Sequence, residues 1–319
     1  MASRYQRGLV LTFDAFGTLF TPRFHIAKHY GDIARQLGLK GFRDEDVGES
    51  FLKAFKSEQK ARPNYGREEG MKVEDWWGNV ITQTFTPFVP SASLPSTLVP
   101  RLLSCFSSSE GYTLYADVPP LFQLLRKLKT TSATTTINTP TYTPIIIGVI
   151  TNSDSRVSLV LESLGLQVRT RAPDPKILDV QDKEVPGQRI QGLEELTGSQ
   201  TGNRVPPPDI DMLILSYDVR TSKPDKEIFR KAMETAHLLA GSEEDGEKLA
   251  LTLRDREQMR EGWTYLHVGD EYDKDYVGAK EAGWQSILLD REGSFEGKNG
   301  LERIGDLREL DRWLRFDRA

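Results

Sequence analysis

Cysteine is almost missing from this chain: Cys105 is the one thiol in 319 residues. No intrachain disulfide can form, which excludes a disulfide-stapled scaffold and fits a reducing compartment. The thiol sits among Leu102, Leu103 and Phe106, a setting that suits a small buried hydrophobe better than a nucleophile. Long apolar runs are missing too. None approaches the roughly 20 residues that span a bilayer, and the chain reaches a strand-like run by Leu9, leaving no room for a signal peptide before it. The expectation is a soluble intracellular protein, cytoplasmic or nuclear, with no membrane partner. Clustered positive charge is the third absence. Forty-two Lys and Arg against 47 Asp and Glu give a net charge of -5, and no basic stripe follows any predicted helix. Nucleic-acid binding, which needs such a stripe to displace counterions, is therefore not expected. Histidine is sparse. His25, His29, His237 and His267 show no zinc-type pairing with cysteine. His25 and His29, one turn apart, read as surface or core residues of a helix, and Ser153 and Ser155 have no evident His partner for a serine triad.

What is present is enough chain for a large core and two structural units. Three apolar runs end in polar residues. Leu9–Phe13 leads to Asp14, Ile145–Ile150 to Thr151, and Tyr265–Val268 to Gly269 and Asp270. Apolarity without alternation suits strands buried on both faces of a parallel sheet. With amphipathic patterns between them, these runs predict an α/β fold, a doubly wound Rossmann-like core with helices on both sides. Residues from about 24 to 106 differ. Ile26, Tyr30, Ile33 and Leu37 share one helical face, as do Val47, Phe51 and Phe55. Trp76, Trp77, Val80 and Ile81 begin a third helix, and Leu98 with Leu102 a fourth. This predicts a helical domain over 22–111, inserted into a discontinuous core of 1–21 and 112–319. Residues 130–143, 180–209 and 241–262 read as polar loops, the last partly helical.

The groups that carry chemistry each follow a predicted strand: Asp14, Thr151, Lys223 and the pair Asp270/Asp275. In open α/β sheets that edge is where ligands bind. One strand-ending Asp or Thr commonly does no more than cap a helix. Four groups of complementary type in this order are harder to explain by capping.

In this order the motifs resemble those of the haloacid dehalogenase superfamily. Asp14-Ala15-Phe16-Gly17-Thr18-Leu19 is similar to its first motif, Ile150-Thr151-Asn152 to its second, and Lys223-Pro224 with Ile228-Phe229 to its third. Gly269-Asp270-Glu271-Tyr272-Asp273-Lys274-Asp275, continuing to Gly278-Ala279 and Ala282-Gly283, is similar to the fourth. The resemblance covers nearly the whole chain apart from the polar loops. Pro63-Asn64-Tyr65-Gly66, Trp76-Trp77, Val80 and Thr84-Phe85 resemble the eukaryotic branch called haloacid dehalogenase-like hydrolase domain-containing protein 3. Those aromatics read as packing within the inserted block rather than as substrate contacts.

The resemblance implies that Asp14 attacks an electrophilic phosphorus or carbon and forms a covalent aspartyl intermediate. Thr18 would brace the loop, or simply cap a turn. Thr151, with Asn152 and nearby backbone N–H groups, would hold a phosphoryl oxygen. Lys223 would balance the charge of the nucleophile and of the transferring group. Asp14, the backbone carbonyl of Phe16, Asp270 and Asp275 would hold Mg2+, and the inserted helices would form a cap over a small phosphorylated metabolite. Electrostatics point independently to a cation, because two carboxylates about 4 Å apart repel by about 4 kcal/mol at an effective dielectric near 20.

One position departs from the superfamily's phosphatase pattern. Two residues after the nucleophile, where those enzymes carry a second Asp that shuttles protons, stands Phe16. Loss of a general acid–base costs about 10²- to 10⁴-fold in rate. Haloacid dehalogenases have an aromatic at this place, because halide leaves without a proton, but they need no metal. Three readings remain open: a slow or specialised Mg2+-dependent phosphohydrolase, a non-catalytic protein that binds metal or a phosphorylated ligand, and a 2-haloacid dehalogenase.

Overall fold

The computed structural model describes residues 7–132, 142–169, 207–241, 262–295, 297, 298 and 300–314. Its centre is a six-stranded sheet in the order β5-β4-β1-β6-β7-β8, parallel throughout. β1 (Arg7–Phe13) lies between β4 (Tyr142–Thr151) and β6 (Trp263–Gly269). β5 (Met212–Leu215) extends one side, and β7 (Gln285–Leu289) and β8 (Arg303–Ile304) extend the other.

The pleat explains why β1 carries apolar residues on both faces. Successive side chains point to opposite sides of a strand. Leu9, Leu11 and Phe13 join one apolar cluster, with Leu121, Phe122 and Leu125 of α5 (Val118–Ser132) and Val157, Val160 and Leu161 of α6 (Arg156–Ser163). Val10 joins the other, with Ile228, Phe229, Ala232, Met233 and Ala236 of α7 (Lys226–Gly241). Both faces are thus covered, as the uninterrupted apolar runs require.

Between β1 and α5 the chain forms helices that pack on one another: α1 (Ile26–Gln36), α2 (Asp44–Ala61), α3 (Val73–Phe85) and α4 (Leu98–Cys105). The four apolar stripes seen in the sequence become their buried faces, with Tyr30, Ile33, Val47, Phe51, Trp76, Val80, Ile81, Leu98 and Leu102 all enclosed. Each such side chain contributes about 1.5–3 kcal/mol when fully removed from water. Cys105 is fully buried, and burial pushes its thiol up to about 11, so it packs rather than reacts. The chain enters and leaves this block through an antiparallel pair, β2 (Phe20–Pro22) and β3 (Tyr112–Leu114).

One of the polar segments is shorter than the sequence suggested. α5 continues through Thr130 to Ser132 and β4 begins at Tyr142, because β4 gains hydrogen bonds to β1 from its first residues. Asp209, at the end of the second segment, is buried and accepts from Arg126 and from the Gln167 N–H. Residues 133–141, 180–206 and 242–261 lie outside the described residues. No helix among the described residues is long and apolar enough to cross a membrane.

Candidate active site

The strand order places the chemistry. From β1 the chain moves outward to β4 and β5, then returns to β6 on the other side of β1 and moves outward again. β1 and β6 therefore flank a topological switch point, where a crevice opens at the carboxyl ends. Asp14 follows β1 and its N–H donates to the Val268 carbonyl at 2.9 Å. Asp270 directly follows β6. A π-helical turn, Tyr272–Val277, then brings Asp275 back beneath it, a form of turn that tends to occur at functional sites.

Oxygens of Asp14, Asp270 and Asp275 lie within 4.8 Å of one another. Lys223 Nζ donates to Asp14 Oδ1 at 2.7 Å and to Asp275 Oδ1 at 2.6 Å. The lysine's backbone is clamped by Asn152, which accepts from its N–H at 2.7 Å and donates to its carbonyl at 2.9 Å. Thr18 donates to Asp270 Oδ1 at 2.8 Å, so its hydroxyl orients an acid as well as bracing a loop. Thr151 ends β4 and is buried. Asp14, Thr18, Asn152, Lys223, Asp270 and Asp275 therefore meet in a connected set of contacts.

Close approach is built into the backbone. Gly17 has φ +75°, and a Cβ there would meet Asp270 Oδ2 at 2.2 Å. Only glycine allows both the left-handed conformation and the carboxylate beside it. At Gly269 a Cβ would lie 2.3 Å from the Asp275 carboxyl carbon.

The charges are unevenly held. Burial pushes the Asp14 carboxyl above its usual range, and Lys223 pulls against it. Burial opposes the charge of Asp275 as well, yet Lys223 and His267 hold its carboxyl well below the usual range. Asp275 also accepts from the Glu271 N–H at 3.0 Å. Of the lysine's two partners, Asp275 therefore has the larger set of stabilising contacts. Desolvation and the neighbouring acids raise Asp270 to about 6 despite the Thr18 hydrogen bond. Lys223 stays charged: burial disfavours the ammonium, but Asp14 and Asp275 outweigh it.

His267 belongs to this network, although none of the sequence motifs includes it. Its Nε2 lies 3.2 Å from Asp275 Oδ1 and its Nδ1 2.9 Å from Thr12 Oγ1. Burial lowers its pKa, so the ring is neutral. A carboxylate only accepts, so Nε2 carries the hydrogen and Nδ1 accepts from Thr12.

The helical block reaches the same edge. Trp77 Nε1 donates to Asp154 Oδ2 at 3.0 Å, and Arg156 binds both oxygens of that buried acid. Asn64 donates to the Ser216 carbonyl at 3.1 Å. Trp76 is fully enclosed and donates to the Arg62 carbonyl within the block, as expected for packing. Trp77 and Asn64 instead bond to the core. Phe16 is 36% exposed and packs edge-on against Phe20 and Tyr112 of the β2–β3 pair.

Comparison with known proteins shows what the arrangement resembles. The family described as HAD-hydrolase-like matches residues 220–301, which hold Lys223, Asp270 and Asp275. An uncharacterized protein of Saccharomyces cerevisiae is 26% identical over 92% of this chain and 75% of its own length. The Danio rerio haloacid dehalogenase-like hydrolase domain-containing protein 3 is 23% identical over 87% of this chain and 83% of its own. The chain is thus similar to the haloacid dehalogenase superfamily, in one family segment and over most of its length in these relatives. Among solved structures of this superfamily, the L-2-haloacid dehalogenase PA0810 aligns over 96% of this chain and 98% of its own, with TM-score 0.52 and 13% identity. At that identity the likeness shows the α/β fold alone. Within that fold, the acids and the lysine that the sequence motifs singled out meet at one edge of the sheet. The motifs gave no sign of His267, of the Asp154–Arg156 pair, or of Arg291, which binds the loop after Asp14.

Proposed function

We propose that this protein is a Mg2+-dependent phosphohydrolase acting on a small phosphorylated metabolite through an aspartyl intermediate on Asp14. The observation that carries the reading is the meeting of three carboxylates within 4.8 Å beside one lysine that bonds two of them. Three acids against one ammonium leave two negative charges in a largely buried place. That excess is unfavourable by itself and worse for an anionic substrate. An all-oxygen donor set suits a hard cation such as Mg2+. The Gly17 loop fits the same purpose, since it lets the backbone after Phe16 lie against Asp270. Asp14, Asp270, Asp275 and the Phe16 carbonyl are the groups that would hold the ion. When bound, the cation offsets the excess charge and withdraws electron density from the phosphoryl group.

The chain's own residues supply the rest. An oxygen of Asp14 forms a bond to phosphorus as the bond from phosphorus to the leaving oxygen breaks. Lys223 steadies the negative charge on Asp14 and the transferring group, and Thr151 with Asn152 receives a phosphoryl oxygen. Phe16 cannot give the leaving oxygen a proton, so that proton comes from water or from the substrate itself. Water then attacks phosphorus, phosphate departs and Asp14 is restored. The helices of residues 22–111 act as a cap on the core of 1–21 and 112–319, with the β2–β3 pair as their hinge. We place the protein inside the cell, cytoplasmic or nuclear, and give it no nucleic-acid or membrane partner.

Phe16 favours a second reading. Its half-open aromatic ring, two residues after Asp14 in the chain, suits 2-haloacid dehalogenation, in which the leaving halide needs no proton. A panel of phosphate esters with Mg2+, run on the wild type and Asp14→Asn, tests the proposal. Metal-dependent turnover lost in the variant supports it. Halide release without metal would transfer the assignment to the second reading, and Mg2+ binding with neither activity would mark a non-catalytic metal- or phospholigand-binding protein.

A further inference from the structure

We infer that Arg291 is a positioning residue for the loop that follows Asp14, and that it ties this loop to the strand by which the chain leaves the helical block. The inference concerns the cation site proposed above and rests on that reading only for its metal readout. Arg291 follows β7 at the carboxyl edge of the sheet. Its Nη2 donates to the Thr18 carbonyl at 2.9 Å and its Nε to the Gly17 carbonyl at 3.4 Å. Those are the two peptide groups directly after Phe16, whose carbonyl is an expected ligand. On its other side the guanidinium forks onto Asp117 at 2.7 and 3.1 Å and lies over the Tyr115 ring at 3.9 Å.

Tyr115 and Asp117 stand just beyond β3, and the Tyr115 N–H donates to the Leu19 carbonyl. Asp117 is buried at 2% exposure and also accepts from the Leu307 N–H at 2.8 Å. The loop of residues 16–18 is therefore wedged between two side chains. Asp270 holds it from within, through the Thr18 hydroxyl and the missing Cβ of Gly17. Arg291 holds it from outside, through two carbonyls. A guanidinium has the planar fork needed to bind a carboxylate and two carbonyls at once. Outer groups of this kind orient the groups that bind a metal, and their loss typically weakens affinity about 10- to 100-fold.

The test compares Arg291→Ala and Arg291→Lys with a control, Arg126→Ala. Removing Arg126 takes the ion-pair partner from another buried acid, Asp209, which keeps one backbone N–H as Asp117 does, but toward the β5 edge of the sheet. Mg2+ alone is titrated calorimetrically, and amide hydrogen exchange is followed over residues 15–20, where the Gly17, Leu19 and Phe20 N–H groups are hydrogen bonded. The expected result is about 10- to 100-fold weaker Mg2+ binding and faster exchange of this segment in Arg291→Ala. Arg291→Lys should recover part of both, and Arg126→Ala should change neither. Unchanged exchange in a folded Arg291→Ala, or equal changes in the control, would overturn the inference. If the wild type binds no Mg2+, the cation reading fails while the exchange result still decides the role of Arg291.

Discussion

Removing the Lys223 charge should lower activity and stability while raising cation affinity. The substitution Lys223→Met keeps much of the side chain's length, so the loss is mainly electrostatic. In the native protein the ammonium is 2.7 Å from Asp14 Oδ1 and 2.6 Å from Asp275 Oδ1, with side-chain exposure of only 2%. Without it, three carboxylates face one another with no counter-charge. Two unit charges at the 4.8 Å limit seen here repel by about 3.5 kcal/mol at an effective dielectric near 20. Breaking a buried ion pair by deleting one partner costs about 3–5 kcal/mol. Urea unfolding without metal should therefore show a loss in that range. Mg2+ should restore part of it, because a ligand at 100 times its Kd stabilises by about 2.7 kcal/mol. Titration at pH 8, where the acids are ionised, should show Mg2+ binding at least about tenfold tighter than in the wild type, equivalent to about 1.4 kcal/mol. Weaker or equal Mg2+ binding, or a stability loss below about 1 kcal/mol, would refute the reasoning that charge balance organises this site.

Other perturbations test separate parts of the account. Phe16→Asp supplies the missing proton donor and should raise phosphate-ester turnover by about 10² or more, measured at saturating substrate; a folded variant with no gain would count against the role given to Phe16. Gly17→Ala places a Cβ 2.2 Å from Asp270 at a positive φ and should abolish Mg2+ binding in calorimetry while the sheet remains folded by circular dichroism. His237, half-buried against Trp263 and bonded to Tyr265 at 2.5 Å, is held neutral by burial, its pKa lowered from 6.5 to about 4. Because the folded protein resists protonating it, its contribution is intact above pH 6.5 and is lost as pH falls from there toward 4. The loss amounts to at most about 3 kcal/mol, less with the ring's partial solvent access. Unfolding of His237→Gln should accordingly be less acid-sensitive over that window, and identical pH profiles would contradict the burial argument.

What could be read in advance followed from pattern length. β1, β4 and β6 hold largely apolar runs without alternation because both faces of a central parallel strand are covered, and each stood out. β5, at four residues, and β7, at five, offered too little pattern to separate from short helical segments. The helices of the inserted block were legible from their stripes, whereas the three-residue β2 and β3 were not. In the site, the acids and Lys223 were visible because they belong to motifs with fixed local spacing. His267 was not, because one partner, Thr12, is 255 residues away. The available signal was an ionisable residue inside an apolar strand, between Leu266 and Val268. Arg291 left no signal of that kind. Its contacts with Thr18 and Asp117 span 273 and 174 residues, and nothing in Asp290-Arg291-Glu292 distinguishes it from a solvated arginine.

The most direct test of the central claim is whether Asp14 becomes phosphorylated. The protein is mixed with Mg2+ and a reactive phosphate ester, quenched in acid within the first turnover, and digested for peptide mass analysis. The account predicts that the peptide holding Asp14 gains the mass of one phosphoryl group, with no such gain in Asp14→Asn or without Mg2+. Substrate turnover with that peptide unmodified at every quench time, or with the phosphoryl group on another residue, would contradict it.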